Sequence, residues 1–257
     1  MKSKKEIQQI TISENSVGAG IEKNIYRDPQ KPDVFVGVFR NNRRWLVKNE
    51  EYDMLRPFHE SPNYIKAVYY ANQIAEILIP KFIRHISQTG RIPEKNNEDS
   101  KHYIVGDGFI KPGKFMPLDR LDSIEVYNYY DDLFKKNGFE IDRQADNIAQ
   151  NPSNPDEYLY IDSISPWRYK KRGIAHEHKS KKGDYGLGGF VAIYEPIAQY
   201  DEEKVRAAIK GLPDENTREK ALSFLDRMNV LLHEEQSLWK KKKEDVLTNP
   251  NSFWEET

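Results

Sequence analysis

The sequence predicts an α+β fold: a five-stranded antiparallel sheet carrying one helix, followed by a reduced, mainly helical region. Three observations predict it. Segments that alternate apolar and polar residues, or run β-branched and aromatic, fill much of the first 110 residues and are parted by turn formers. A single helical stretch interrupts them. Beyond residue 118 the apolar residues recur at three-to-four spacing in several windows.

Taken in order, QQITIS alternates and SVGAG is a turn; IEKNIY is a short second strand, DPQKPD a second turn, and VFVGVF a third strand. A polar connector covers residues 41–60. Ser61-Pro62 then supplies an N-cap and a proline at the first helical position, and residues 63–79 read as helix until Pro80 stops it. Residues 81–87 and 102–110 read as two more strands around a hydrophilic loop. Residues 118–137 are helical, with Gly138 placed as its stop. A strand (YLYID), a basic loop through Lys182 and a glycine-rich joint follow. Two helices close the chain, one over 201–210 ended by Gly211, the other from about Asp214 with Ala221, Leu225, Met228, Leu232 and Trp239 on one face. The tail after Lys243 is expected to be loosely held. The units are therefore residues 8–113, 114–243 and a tail, 244–257.

Composition narrows the functions. With no cysteine, disulfides, thiolate zinc sites and cysteine nucleophiles are excluded. Forty basic and 41 acidic side chains leave a net charge of −1, which argues against a nucleic-acid coat or a polybasic membrane protein. No apolar run approaches the ~20 residues that span a bilayer. The basic start MKSKKEIQQITIS has no apolar stretch behind it, so the expected location is the cytoplasm.

The segment IDRQADNIAQNPSNPDEYLYIDSISPW carries the chemistry. Asp142 precedes Asn147 by five residues; a turn and a strand then lead to Asp162. In a strand–loop–strand hairpin these side chains can converge on one small volume. An aspartate and an asparagine amide oxygen are hard ligands suited to Mg²⁺ on a nucleotide's phosphates. A second aspartate can orient a hydroxyl and take its proton, and phosphoryl transfer needs little else beyond positioning and charge neutralisation.

Asp142-x-x-x-x-Asn147 resembles the catalytic loop of the protein-kinase-like superfamily, and Ile161-Asp162 resembles its metal-binding aspartate after the following strand. Gly18-Ala19-Gly20-Ile21-Glu22-Lys23-Asn24-Ile25 fits the family's glycine loop at the first two glycines and the last aliphatic position. Arg40, fifteen residues past Ile25, stands where the family places its phosphate-binding lysine. The resemblance covers about residues 8–165 and implies ATP and Mg²⁺ as cofactors. It implies that Asp142 orients the acceptor hydroxyl, that Asn147 and Asp162 hold Mg²⁺, and that Gly18, Gly20, Lys23, Arg40 and Glu76 hold the nucleotide.

The departures are specific. Lys23 replaces the third glycine, and Arg40 brings a fork where an ammonium is usual. Glu140-Ile141 precedes the aspartate in place of His-Arg, Ser163-Ile164 replaces Phe-Gly, and no Ala-Pro-Glu anchor follows. They fit a divergent phosphotransferase and equally a pseudokinase-like module that binds nucleotide or a protein without chemistry. On the first helix Ile65, Tyr69, Asn72, Glu76 and Ile79 share a side, and the opposite side is also apolar. Glu76 is therefore expected to be half-buried and to need a partner, for which Arg40 is the candidate.

Blander readings stand beside these. Two glycines between strands also make an ordinary hairpin, and Asp142 and Asn147 also serve as turn formers or caps. The run 168–182, with seven Lys/Arg against one Glu, is a solvated loop or else a dock for an acidic or phosphorylated acceptor. His176-x-His178 lacks a third ligand. A third reading, an α+β protein contacting nucleic acid through that run, is disfavoured by the near-neutral charge.

Overall fold

The computed structural model describes residues 18–19, 23–28, 30–31, 34–39, 62–80, 86–92, 101–107, 116–117, 124–142, 147–151, 154–160, 162–175, 178–179, 185–186 and 190–248. The first half builds a five-stranded antiparallel sheet from β1 (Gly18–Ala19), β2 (Lys23–Arg27), β3 (Val34–Phe39), β4 (Ile86–Ile92) and β5 (Lys101–Asp107), in the order β1-β2-β3-β5-β4. The strand read at 8–13 lies outside the described residues. Between β2 and β3, Asp28 caps its own turn: its carboxylate accepts the Gln30 N–H at 2.8 Å, and the Val34 N–H reaches the Lys31 carbonyl at 2.8 Å. β3 sits between β2 and β5, and its Phe35, Val36 and Val38 are buried, as its unbroken apolar run requires.

Helix α1 (Pro62–Leu78) enters between β3 and β4. It is apolar almost all round, and it is buried almost all round, packing on the sheet and on the C-terminal helix. Its Gln73 donates to the buried Ile86 carbonyl at 2.7 Å and so pins the start of β4. The fourth strand, expected at 81–87, has residues 81–85 outside the described residues. It forms at Ile86–Ile92, in what reads as loop, because its register is set by β5 through a bulge between Ile86 and Gln88 rather than by its own apolar content.

The second half is mixed rather than mainly helical. Its described residues include β6 (Met116–Pro117), β7 (Ile148–Asn151), β8 (Asn154–Tyr160), β9 (Trp167–Ala175), β10 (His178–Lys179), β11 (Tyr185–Gly186) and β12 (Phe190–Ala198), besides helices α2 (Ile124–Lys136), α3 (Glu202–Lys210) and α4 (Glu215–Thr248). β6, β7 and β8 form one small sheet, and β9 pairs with β12 over nine residues, Trp167 opposite Ala198. The basic loop expected at 168–182 thus begins as a strand. Trp167 and Tyr169 are buried while Arg168 and Lys170 are exposed, a period of two that the density of charge concealed. α4 likewise runs through Thr248, into the tail expected to be loose from 244, of which 249–257 lie outside the described residues.

Gly138 ends α2 in the left-handed region, φ +86°. The Phe139 N–H returns to the Phe134 carbonyl at 3.0 Å, and the Gly138 carbonyl accepts the Asp201 N–H at 2.7 Å. Asp201 caps α3, its side chain accepting the Lys204 N–H; that bond holds the carboxyl below the usual range. α4 starts with Asp214 accepting the Thr217 N–H at 2.7 Å, and it buries Ala221, Leu225, Met228 and Leu232 against α1 and β12. The described core is one cluster, running from Phe35 on β3 to Leu232 on α4. No helix among the described residues is long and apolar enough to cross a membrane.

Candidate functional site

The turn at Gly138 throws the chain into an extended segment, residues 139–142, that carries Asp142. Phe139 bridges to Tyr200, the Glu140 N–H donates to the Gln199 carbonyl at 2.9 Å, and Ile141 is buried, so the segment is held from both sides while Asp142 stays exposed. Asn147 stands just before β7 and Asp162 just after β8. Because Ile148 pairs with Tyr160, both flank the last rung at the open end of the β7–β8 hairpin. Each is half-buried. One carboxylate oxygen of Asp162 accepts the Ser163 N–H at 2.8 Å, which fixes the side chain's orientation.

Tyr160 links the two aspartates. Its hydroxyl is buried, and burial chiefly raises its pKa well above the ordinary value; the negative charges of Asp162 and Asp142 push the same way, while the backbone N–H of Asp142 bonds the phenol oxygen in the opposite sense. Two aspartates twenty residues apart in the chain thus lie within electrostatic reach of one phenol, and Asn147 sits at the same end of the hairpin.

In the five-stranded sheet, Gly18 pairs with Ile25 across the β1–β2 hairpin, and Lys23 lies opposite Phe39, the neighbour of Arg40 in sequence. Gly20 and Arg40 lie outside the described residues, and with Arg40 so does the expected ion pair to Glu76. Glu76 itself is half-buried in the last turn of α1, as its helical position implies.

The residue that sequence reasoning left without a role is Asn72, one turn before Glu76 on the same face. It is 1% exposed. Its side-chain oxygen accepts the Ile164 N–H at 3.2 Å, and its amide donates to the Val68 carbonyl at 2.7 Å and to the Ile164 carbonyl at 3.4 Å. α1 is thereby clasped to the backbone two residues beyond Asp162. The signal was an amide side chain on a helix apolar almost all round, since buried amides need partners. Replacement by leucine strands the buried Ile164 N–H and is expected to cost about 2–3 kcal/mol in urea unfolding. An unchanged midpoint would show that the clasp carries no weight.

A cavity of about 380 Å³ opens beside Asp142. Tyr64, Tyr160, Ser163 and Trp167 form a buried floor; Glu140, Asp142 and Arg168 form an exposed rim. The Tyr64 hydroxyl bonds the Ser165 hydroxyl at 3.1 Å, and the Tyr64 and Trp167 rings meet edge to face at 5.4 Å. These walls come from α1, the 139–142 segment, β8 and β9, too dispersed in sequence for spacing to reveal.

The donor set suits Mg²⁺. Asp162 and Asn147 offer hard oxygens at one hairpin end, and Mg²⁺ commonly takes one or two protein oxygens, completing its shell with water and phosphate. Among the described residues no three His, Asp or Glu side chains cluster to hold an ion by themselves. An ion held here would leave most of its shell to water and nucleotide.

No family model and no curated protein sequence matches the chain. Among solved structures it is similar to the crystal structure of the Rio2 kinase–ADP/Mg²⁺–phosphoaspartate complex from Chaetomium thermophilum. Identity is 11%, with 90% of this chain and 72% of that chain covered, at a TM-score of 0.31.

Proposed function

We propose that this chain is an ATP- and Mg²⁺-dependent phosphotransferase of a divergent protein-kinase-like type, acting in the cytoplasm. The observation that carries the reading is the approach of Asp142 and Asp162 to the Tyr160 hydroxyl, with Asn147 at the same end of the hairpin. The five-stranded sheet with α1 after its third strand supports it.

Asp142 orients the acceptor hydroxyl and takes its proton as the oxygen bonds to the γ-phosphorus of ATP. The bond from that phosphorus to the bridging oxygen breaks and ADP leaves. Asn147 and Asp162 hold Mg²⁺, which offsets the charge of the phosphates. Gly18 to Gly20, with Lys23, cover those phosphates, and Arg40 steadied by Glu76 clamps them.

A nucleotide-binding module without turnover is the second reading. The Asn72 clasp favours it, because tying Ile164 to α1 restrains the segment after Asp162. Thermal unfolding with ATP, in Mg²⁺ and in EDTA, tests nucleotide binding. ATP at a hundred times its Kd is expected to stabilise the protein by about 2.7 kcal/mol, and only with Mg²⁺. No shift under either condition overturns both readings. A shift without ADP formation, acceptor supplied, leaves the second.

A further inference from the structure

The cavity beside Asp142 has the dimensions and lining of a small-ligand site rather than of a peptide groove. Its volume, about 380 Å³, falls in the range of about 300–1,000 Å³ typical of small-molecule clefts. Tyr64, Tyr160 and Trp167, exposed by 3%, 1% and 1%, make a deep aromatic floor. Ser163, Ser165 and Gln199 border the same space.

The rim is charged in two senses. Glu140 and Asp142 bring carboxylates, and Arg168, the first exposed residue of β9, brings a guanidinium. A ligand that presents a hydroxyl to Asp142 and an anionic group to Arg168 satisfies both. We infer that this cavity binds the phosphoryl acceptor, and that the acceptor is a small polyhydroxylated molecule bearing an anionic group. The role as acceptor rests on the phosphotransfer reading; the binding does not.

The test is tryptophan fluorescence of the full chain, without nucleotide, titrated with ribose 5-phosphate and glucose 6-phosphate, with uncharged ribose and glucose, and with an acidic serine-containing peptide. At least one sugar phosphate is expected to bind, about tenfold or more tighter than its uncharged parent. Arg168→Ala, at an exposed position, is expected to remove that preference while leaving the uncharged sugar unaffected. Trp167→Phe is expected to remove the fluorescence change. Binding of the peptide alone, binding of none of the sugar phosphates, or a preference that survives Arg168→Ala overturns the inference. If Mg²⁺–ATP binds and no sugar phosphate does, the cavity assignment fails and phosphotransfer stands. If a sugar phosphate binds and Mg²⁺–ATP does not, the cavity stands and phosphotransfer fails.

Discussion

Asp162→Ala is expected to abolish the Mg²⁺-dependent part of ATP binding, weakening it a hundredfold or more, and to leave the fold intact. The side chain sits where β8 ends, half-buried, with one oxygen anchored on the Ser163 N–H at 2.8 Å. An anchored carboxylate meets the ion without first losing rotamer freedom, and Mg²⁺ dehydrates reluctantly, so the loss of one preset anionic oxygen is felt strongly. The bond to the Ser163 N–H that is lost contributes about 1 kcal/mol, small by comparison. Asp162→Asn keeps the shape and removes the charge, and should fall between the two. Calorimetric titration with Mg²⁺–ATP on all three proteins, beside their denaturation midpoints, separates binding from folding. Unchanged affinity in Asp162→Ala would remove the role given to that residue.

Gly138→Ala is expected to cost about 2–5 kcal/mol, combining about 1–2 kcal/mol for a left-handed backbone with about 1–3 kcal/mol of overpacking. A Cβ at this position would stand 2.7 Å from the Val205 Cγ2, 2.8 Å from the Asp201 carbonyl oxygen and 2.8 Å from the Val205 nitrogen. Two of those atoms are backbone, so α3 or the end of α2 must move. Either movement strains the hydrogen bond between the Gly138 carbonyl and Asp201, and the pairing of Glu140 with Gln199 that carries Asp142. Guanidinium unfolding should show the loss, and the surviving folded protein should transfer phosphate more slowly. A change under 1 kcal/mol would mean the turn relaxes freely, contrary to its contacts.

Gly138 was legible because helix termination by glycine is a local event, decided within a few residues. The same holds for Asp201 and Gly211 around α3, and for the stripe of Leu225, Met228 and Leu232 on α4. β2 and β3 were legible through alternation and β-branching. β4 was not, because a strand's position is settled by its neighbour: β5 and a bulge draw Ile86–Ile92 into the sheet although GRI reads as loop. β9 was missed for a related reason. Pairing with β12 buries Trp167 and Tyr169 beneath a run whose lysines and arginines dominate the composition.

At the site, the spacing of Asn147 and Asp162 was visible because one hairpin connects them. Asn72 was visible as a polar residue on a helix, but its partner lies 92 positions away, at a distance that no local pattern encodes. The cavity is further still from any motif, since Tyr64, Asp142, Tyr160 and Trp167 meet only through the packing of α1 on the strands of the second half.

Crystals grown with Mn²⁺ and a non-hydrolysable ATP analogue offer the most direct test of where the ion binds, since Mn²⁺ is located by its anomalous scattering. The expected peak lies about 2.0–2.2 Å from a carboxylate oxygen of Asp162 and from the amide oxygen of Asn147, with Asp142 beside the terminal phosphate and outside the coordination shell. An ion bound elsewhere, or an analogue seated with no contact to these three residues, would contradict the phosphotransferase assignment.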